Sequence, residues 1–401
     1  RTTVSRAAIV SCAKLAYDTD MGRLSHSFVR TSLPALVITA IFAIQTVMAA
    51  SAVEFFASRS FGGHNPMYYA TSAGDFDGDG NPDVVTASYD KLFVYFGNGT
   101  GTFDAAPLTV YSYNNNTYVF PLAADFNSDG RSDLVFFRTN PQTSQPAIAV
   151  YFGNADKTFK VPVFSSPSPM PTDLKAVDMD QDGKLVLVGP AQASGNNLIV
   201  TYKGDLAGGF TVSEQANTGL AAGSVAPVDI DNDGKIDLAY GTSQDLRAVR
   251  NLGGGSYDAP VTIASVSFGF GSVRGADVNN DGKIDLIASQ AVTSTPIAAV
   301  RLGAGGFAFT AAPDITLNTN ERATLTAVAD LDLDGKKDLV LSSTNRTIIR
   351  RGAGDGTFAQ QTVIADGGGG DAFVSDVNRD GAPDIVANES IEFAVVGSGS
   401  F

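Results

Sequence analysis

Asp75-Phe-Asp77-Gly-Asp79-Gly80-Asn-Pro-Asp83 decides the reading of this chain, because close copies return six more times. The second and third are Asp125-Phe-Asn127-Ser-Asp129-Gly130-Arg-Ser-Asp133 and Asp178-Met-Asp180-Gln-Asp182-Gly183. Then come Asp229-Ile-Asp231-Asn-Asp233-Gly234-Lys-Ile-Asp237 and Asp277-Val-Asn279-Asn-Asp281-Gly282-Lys-Ile-Asp285. The last two are Asp330-Leu-Asp332-Leu-Asp334-Gly335-Lys-Lys-Asp338 and Asp376-Val-Asn378-Arg-Asp380-Gly381-Ala-Pro-Asp384. First aspartates are separated by 50, 53, 51, 48, 53 and 46 residues, a propeller-like period.

Between the acidic loops runs a second feature. Short apolar or alternating runs such as Leu92-Phe-Val-Tyr-Phe96 lead into glycine turns, and the turns lead to Phe103, Phe159, Phe210, Tyr257, Phe307, Phe358 and Phe401. Glycine suits a tight hairpin, and the aromatic after it can lock the turn into a core. Each unit reads as four strands, in the second roughly 119–125, 133–138, 147–152 and 161–165. One such sheet leaves two apolar faces uncovered, whereas seven arranged radially cover one another. The expected fold is all-β: a seven-bladed β-propeller of four-stranded antiparallel blades over residues 53–401. The last unit has three strands, so residues 53–61 are expected to supply the fourth as a 3+1 terminal clasp, with Phe401 a natural end.

The loops with their glycine turns resemble FG-GAP/VCBS repeats, best known from the propeller heads of integrin α-subunits, and the resemblance spans about residues 53–401. It implies an exported propeller with calcium in its loops, often used for adhesion or carbohydrate binding. Integrin-like fungal lectins are similar in architecture. The leg domains and membrane segment of an integrin α-subunit have no counterpart here, so receptor function does not carry over.

Calcium also follows from the residues themselves. Positions 1, 3 and 5 are Asp or Asn, position 6 is Gly and position 9 is usually Asp, a set of hard oxygen donors. The carbonyl at position 7 would add a ligand, and Asp at position 9 could bind bidentately. Mg²⁺ demands a smaller octahedral site, and no soft ligand invites zinc or copper. An EF-hand needs Glu at position 12 between helices, but here position 12 is Thr86, Phe136, Tyr240, Ala288, Leu341 or Ala387 in strand-like sequence. Plain acidic turns are the alternative, since Asp, Asn and Gly favour turns. Against it, the loops hold 24 of the 42 acidic residues, and such crowding calls for a counter-cation. The first, fourth and sixth loops, with four aspartates each, are expected to bind best. The third lacks a ninth-position Asp and is expected to be weak or empty.

The N-terminus reads as an address. Residues 1–20 are expected to be an upstream extension or a fragment artefact, and residues 21–49 have the basic start, apolar run (Leu33 to Ala50) and small-residue cleavage site of a secretory signal peptide. Cleavage removes Cys12 and His26, leaving His64 as the only histidine and no cysteine for a disulfide. It also moves the net charge from -15 to about -18, so nucleic acid is excluded as a partner. No membrane insertion is expected after cleavage.

Three functional classes follow. The leading one is a noncatalytic, monomeric binding or adhesion module outside the cytoplasm, with a glycan or protein ligand. A lectin is a subclass of it and would hold sugars in pockets between blades, with Tyr111, Tyr113 and Tyr118 as exposed aromatic candidates. An extracellular hydrolase or lyase fits worst, because His64 alone offers no triad and most acids belong to the loops. A rigid spacer is the third class.

Overall fold

The computed structural model describes residues 54–55, 59–60, 70–87, 91–112, 120–265, 271–289, 297–316, 323–343, 346–365, 372–387, 390–392 and 394–395. The signal peptide, the extension before it, Cys12, His26, His64, Tyr113, Tyr118 and Phe401 lie outside the described residues.

Among the described residues, the acidic loop sits inside the first hairpin of every four-stranded sheet. The residue before each loop pairs with its ninth position, as in Gly74 with Asp83, Ala124 with Asp133 and Val228 with Asp237. In the third unit the same register pairs Val177 with Val186. Six sheets are each built from one contiguous stretch of four antiparallel strands, the first comprising Ala70–Gly74, Asp83–Ala87, Lys91–Tyr95 and Leu108–Ser112. A seventh four-stranded sheet is composite: Ala372–Ser375, Asp384–Ala387 and Ser390–Glu392 are joined by Arg59–Ser60 from the other end of the chain.

The first strands lie side by side in a circuit. Ala70–Gly74 meets Leu122–Ala124, then follow Lys175–Val177, Ala222–Val228, Ser272–Ala276, Ala323–Ala329 and Ala372–Ser375, which returns to Ala70–Gly74. This is a β-propeller. Stacked sheets bury both faces of their middle strands, so Asp83–Ala87 and Asp285–Ser289 are buried throughout while Leu108–Ser112 is half-exposed.

Among the described residues, the aromatic after a glycine turn packs in the cluster that holds the second residue of the preceding unit's loop. Phe159 meets Phe76 edge-on with ring centroids 5.5 Å apart, and Phe210 meets Phe126 at 5.7 Å. Phe307 packs against the cluster that contains Ile230, Phe358 against that of Val278, and Phe103 closes the series in the cluster of Val377 from the seventh loop. These aromatics are structural, as the sequence predicts. The leading glycine of the turn has a different reason from the one expected. A Cβ on Gly97, Gly303 or Gly352 would stand 2.1, 2.4 or 2.1 Å from the carbonyl oxygen of Pro82, Ile284 or Lys337. Close backbone approach, not positive φ, makes these positions glycine.

Candidate metal centres

Each loop is a tight coil held by its own carboxylates. The first aspartate accepts from the Gly amide at position 6, as in Gly234 N to Asp229 Oδ2 (2.9 Å) and Gly282 N to Asp277 Oδ2 (2.8 Å). The fifth-position carboxylate accepts from the amide at position 7, as in Lys235 N to Asp233 Oδ1 (2.9 Å). Two left-handed residues make this curl: position 4 (Ser128, Gln181, Asn232, Asn280, Leu333 and Arg379, φ 57 to 60°) and position 6. The sixth-position glycines Gly130, Gly183, Gly234, Gly282, Gly335 and Gly381 have φ 79 to 91° and open space where a Cβ would go, so conformation alone selects glycine.

The ninth-position aspartates are the buried floor of the site. Asp83, Asp133, Asp237, Asp285 and Asp384 are 0% exposed and Asp338 is 1%. In the first loop, Asp83 Oδ2 accepts from Phe76 N at 2.8 Å and Oδ1 from Gly97 N at 2.8 Å. Asp133, Asp237, Asp285 and Asp338 repeat this double grip. One carboxylate therefore ties the acidic loop to the glycine turn. This job is independent of any metal, and the sequence reading, which treated position 9 only as a ligand, missed it.

Burial outweighs those amide bonds and pushes Asp83 up to about 7, and Asp133 and Asp237 up to about 6. Asp285 and Asp338 are raised for the same reason. A folded value above the unfolded 3.8 means that the folded chain holds extra protons in between. Stability from this source is complete below the unfolded value and is lost as pH rises through about 6 to 7. In chelator, the urea midpoint should therefore fall between about pH 4.5 and pH 7.5; a midpoint that rises over this interval would contradict the assignment.

Three carboxylates converge in four loops: Asp75, Asp77 and Asp83; Asp178, Asp180 and Asp182; Asp229, Asp231 and Asp237; Asp330, Asp332 and Asp334. Within each group the oxygens lie within 4.8 Å of one another. The third loop thus gathers its acids although Val186 opens the strand where other loops have Asp. In the second, fifth and seventh loops the third donor is the amide of Asn127, Asn279 or Asn378, whose Oδ1 accepts from the fifth-position amide at 2.9, 3.0 or 2.9 Å.

The donor chemistry fits a hard divalent cation, and one atom shows where it would act. Asp231 Oδ1 is a buried carboxylate oxygen with no hydrogen-bond partner. Such an atom is costly to bury unless something positive meets it. Asp229, Asp231 and Asp237 would hold the ion, with equivalent residues in the other loops.

Protein groups nevertheless supply part of the compensation that the sequence reading gave to metal alone. Lys184, Lys235, Lys283 and Lys336 pair with the fifth-position Asp of their own loops at 2.7 to 3.1 Å, and Arg131 does so with Asp129. Neighbouring loops are also linked: Gln181 Nε2 donates to Gly234 O (2.9 Å), Asn232 Nδ2 to Gly282 O (3.0 Å) and Asn280 Nδ2 to Gly335 O (3.2 Å). Tyr111 is not a free sugar platform. Arg138 lies 3.8 Å over its ring and Phe136 packs at 5.9 Å.

The model of the FG-GAP-like repeat matches residues 75–136, 125–189, 229–288 and 330–387. Each match starts on the first aspartate of a loop and runs through the next loop, so all seven loops fall within the matched residues. The chain belongs to the FG-GAP-like repeat family. No curated protein sequence matches. Among solved structures, BBS1N in complex with ARL6DN is similar at 11% identity and TM-score 0.55, over 87% of this chain and 98% of that one, which is a likeness of fold. An Agrocybe aegerita lectin, described for specific recognition of non-reducing terminal N-acetylglucosamine, matches at 19% identity and TM-score 0.37 over 81% of this chain and 75% of that one. The Photorhabdus luminescens Tc holotoxin pore matches at 16% and TM-score 0.41 over 73% of this chain and 14% of that one. Among the described residues, no helix is long and apolar enough to cross a membrane.

Proposed function

We propose that this FG-GAP-like repeat protein is an exported, calcium-loaded, seven-bladed propeller that works as a noncatalytic, monomeric binding or adhesion module. The observation that carries the calcium part is the buried Oδ1 of Asp231, which has no hydrogen-bond partner and belongs to a residue in a converging set of carboxylates. Calcium would stabilise the loops by binding the folded chain and not the unfolded one. The rigid disc would then present its faces to an extracellular glycan or protein. One candidate face is the axial cavity of about 510 Å³, whose lining includes Phe120, Thr172, Ser224, Arg274, Thr324 and Phe373. Phe120 is 54% exposed there, an apolar side chain available to a partner.

A lectin is the second reading, and one pocket favours it. A cavity of about 320 Å³ between the third and fourth sheets is lined by Asp180, Lys203, Leu206, Glu214 and Asn251 among others. Polar donors and acceptors beside an apolar wall suit a polyol such as a sugar. Two measurements test these readings together: titration calorimetry of calcium into chelator-stripped protein, and a glycan array probed with and without calcium. Heat of binding to several sites is expected. Sugar binding that needs calcium would establish the lectin; calcium binding with a blank array would leave a protein ligand. An absence of calcium heat would sink the metal-loaded module.

A further inference from the structure

Arg250 stands directly before Asn251, whose amide grips the ninth-position Asp237, and Arg351 stands directly before Gly352, whose amide grips Asp338. Where the other loops have a described residue at that place, it is Phe96, Phe152, Lys203 or Leu302. Phe96 and Phe152 are buried in the core. Both arginines instead turn back into the acidic loop. Arg250 Nε lies 2.8 Å from Asp231 Oδ2, an ion pair without hydrogen-bond alignment, and it leaves Asp231 Oδ1 unpartnered. Arg351 Nη1 lies 3.1 Å from Asp332 Oδ2 and 2.9 Å from Asp338 Oδ2. One guanidinium nitrogen thus bridges the third and ninth positions of the sixth loop, both ligand positions in the sequence pattern.

The sequence carries the same correlation. Loops with Asn at position 3 have an apolar residue before the turn (Phe152, Leu302, Val396), and loops with Asp180, Asp231 and Asp332 have Lys203, Arg250 and Arg351. The first loop departs from it, with Asp77 but Phe96, and Asn81 where the fourth and sixth loops have Lys235 and Lys336.

We propose that Arg250 and Arg351 are resident counter-ions that hold the fourth and sixth loops in shape without metal and must move aside when an ion enters. This rests on the calcium reading above and reverses part of the ranking by aspartate count: the fourth and sixth loops bind calcium more weakly than their four carboxylates imply. An arginine supplies one positive charge and rigid donors, so it satisfies a carboxylate pair but leaves an oxygen such as Asp231 Oδ1 unmet. Calcium, with two charges and six to eight oxygen ligands, satisfies the whole set but has to displace the guanidinium.

The test is Arg250→Gln with Arg351→Gln, beside the charge-retaining Arg250→Lys with Arg351→Lys, read by thermal melts in EDTA and in calcium and by calcium calorimetry. In EDTA the Gln protein should melt below wild type, because the carboxylates lose their counter-charge. In calcium its rise in melting temperature should exceed the wild-type rise, and two sites should tighten by about tenfold on loss of a competing unit charge at contact. The Lys protein should resemble wild type. If the double Gln protein does not fold, Arg250→Gln alone provides the same comparison at a more exposed side chain (37% against 24%). A wild-type protein that responds to calcium, with a Gln protein that responds no more, overturns the counter-ion inference alone. Failure of every protein to respond overturns the calcium reading and this inference with it.

Discussion

Asp237→Ala is expected to destabilise the fold by about 2–6 kcal/mol, since it strands two buried amide donors at roughly 1–3 kcal/mol each. Those donors are Ile230 N (3.0 Å) and Asn251 N (2.7 Å), and the carboxylate between them is 0% exposed. Water cannot replace the lost oxygens without opening the hairpin, because Leu238, Ala239 and Tyr240 beside it are also fully buried. Asp237→Asn should cost less than Ala but more than a surface change, because an amide keeps one acceptor and turns its NH₂ toward a second donor. Asp233→Ala in the same loop removes an exposed carboxylate that meets the Lys235 side chain and amide in reach of water, and should cost far less. Urea denaturation in chelator checks all three, and chelator matters: the Asp237 penalty should persist there, because it comes from backbone amides and not from an ion. Equal midpoints for Asp237→Ala and Asp233→Ala would show that position 9 does not anchor the hairpin.

The loops and strands were legible because each depends on local chemistry. Asp at position 9 marks both the end of the loop and the first residue of the second strand in six of the seven units, so the predicted start at Asp133 is the observed one. Of the predicted first strand of that unit, residues 119–125, the described part (120–125) shows strand only over Leu122–Ala124, since no local signal marks where an inner strand begins. The pairing of Arg59–Ser60 with Ser390–Glu392 was open to inference from counting strands in the last unit. What stayed hidden depends on where side chains point across units. Nothing local says that Arg250 bends back to Asp231 while Leu302 does not, or that Asn232 reaches Gly282 fifty residues on. The correlation between position 3 and the residue before the turn was nonetheless present in the sequence. It becomes visible only once the two positions are known to touch. Tyr111 misled for the same reason: its polar neighbourhood in sequence is unrelated to Arg138 and Phe136, which hold it in space.

Removing calcium with EDTA at neutral pH should lower the melting temperature by more than any of these substitutions. A single site filled at about 100 times its dissociation constant adds about 2.7 kcal/mol. Three such sites would contribute roughly 8 kcal/mol, comparable to the ~5–15 kcal/mol that separates most folded domains from unfolding. The four loops with converging carboxylates offer that number once calcium is high enough to fill the weaker ones as well, two of them holding a resident arginine. The loss should be graded by pH. Near pH 7 the buried Asp133 and Asp237 are mostly ionised and Asp83 partly so, at a burial cost that calcium would offset; near pH 4.5 they are protonated and the ion has less to offer. The shift caused by EDTA should thus shrink as pH falls, while the chelated protein itself becomes more stable. These opposite trends separate a metal that neutralises buried carboxylates from one that merely screens a surface of net charge -15, where added sodium chloride would do as well. A melt that EDTA leaves unchanged, or that salt restores as fully as calcium, would remove the ion from the account of how this ring stays closed.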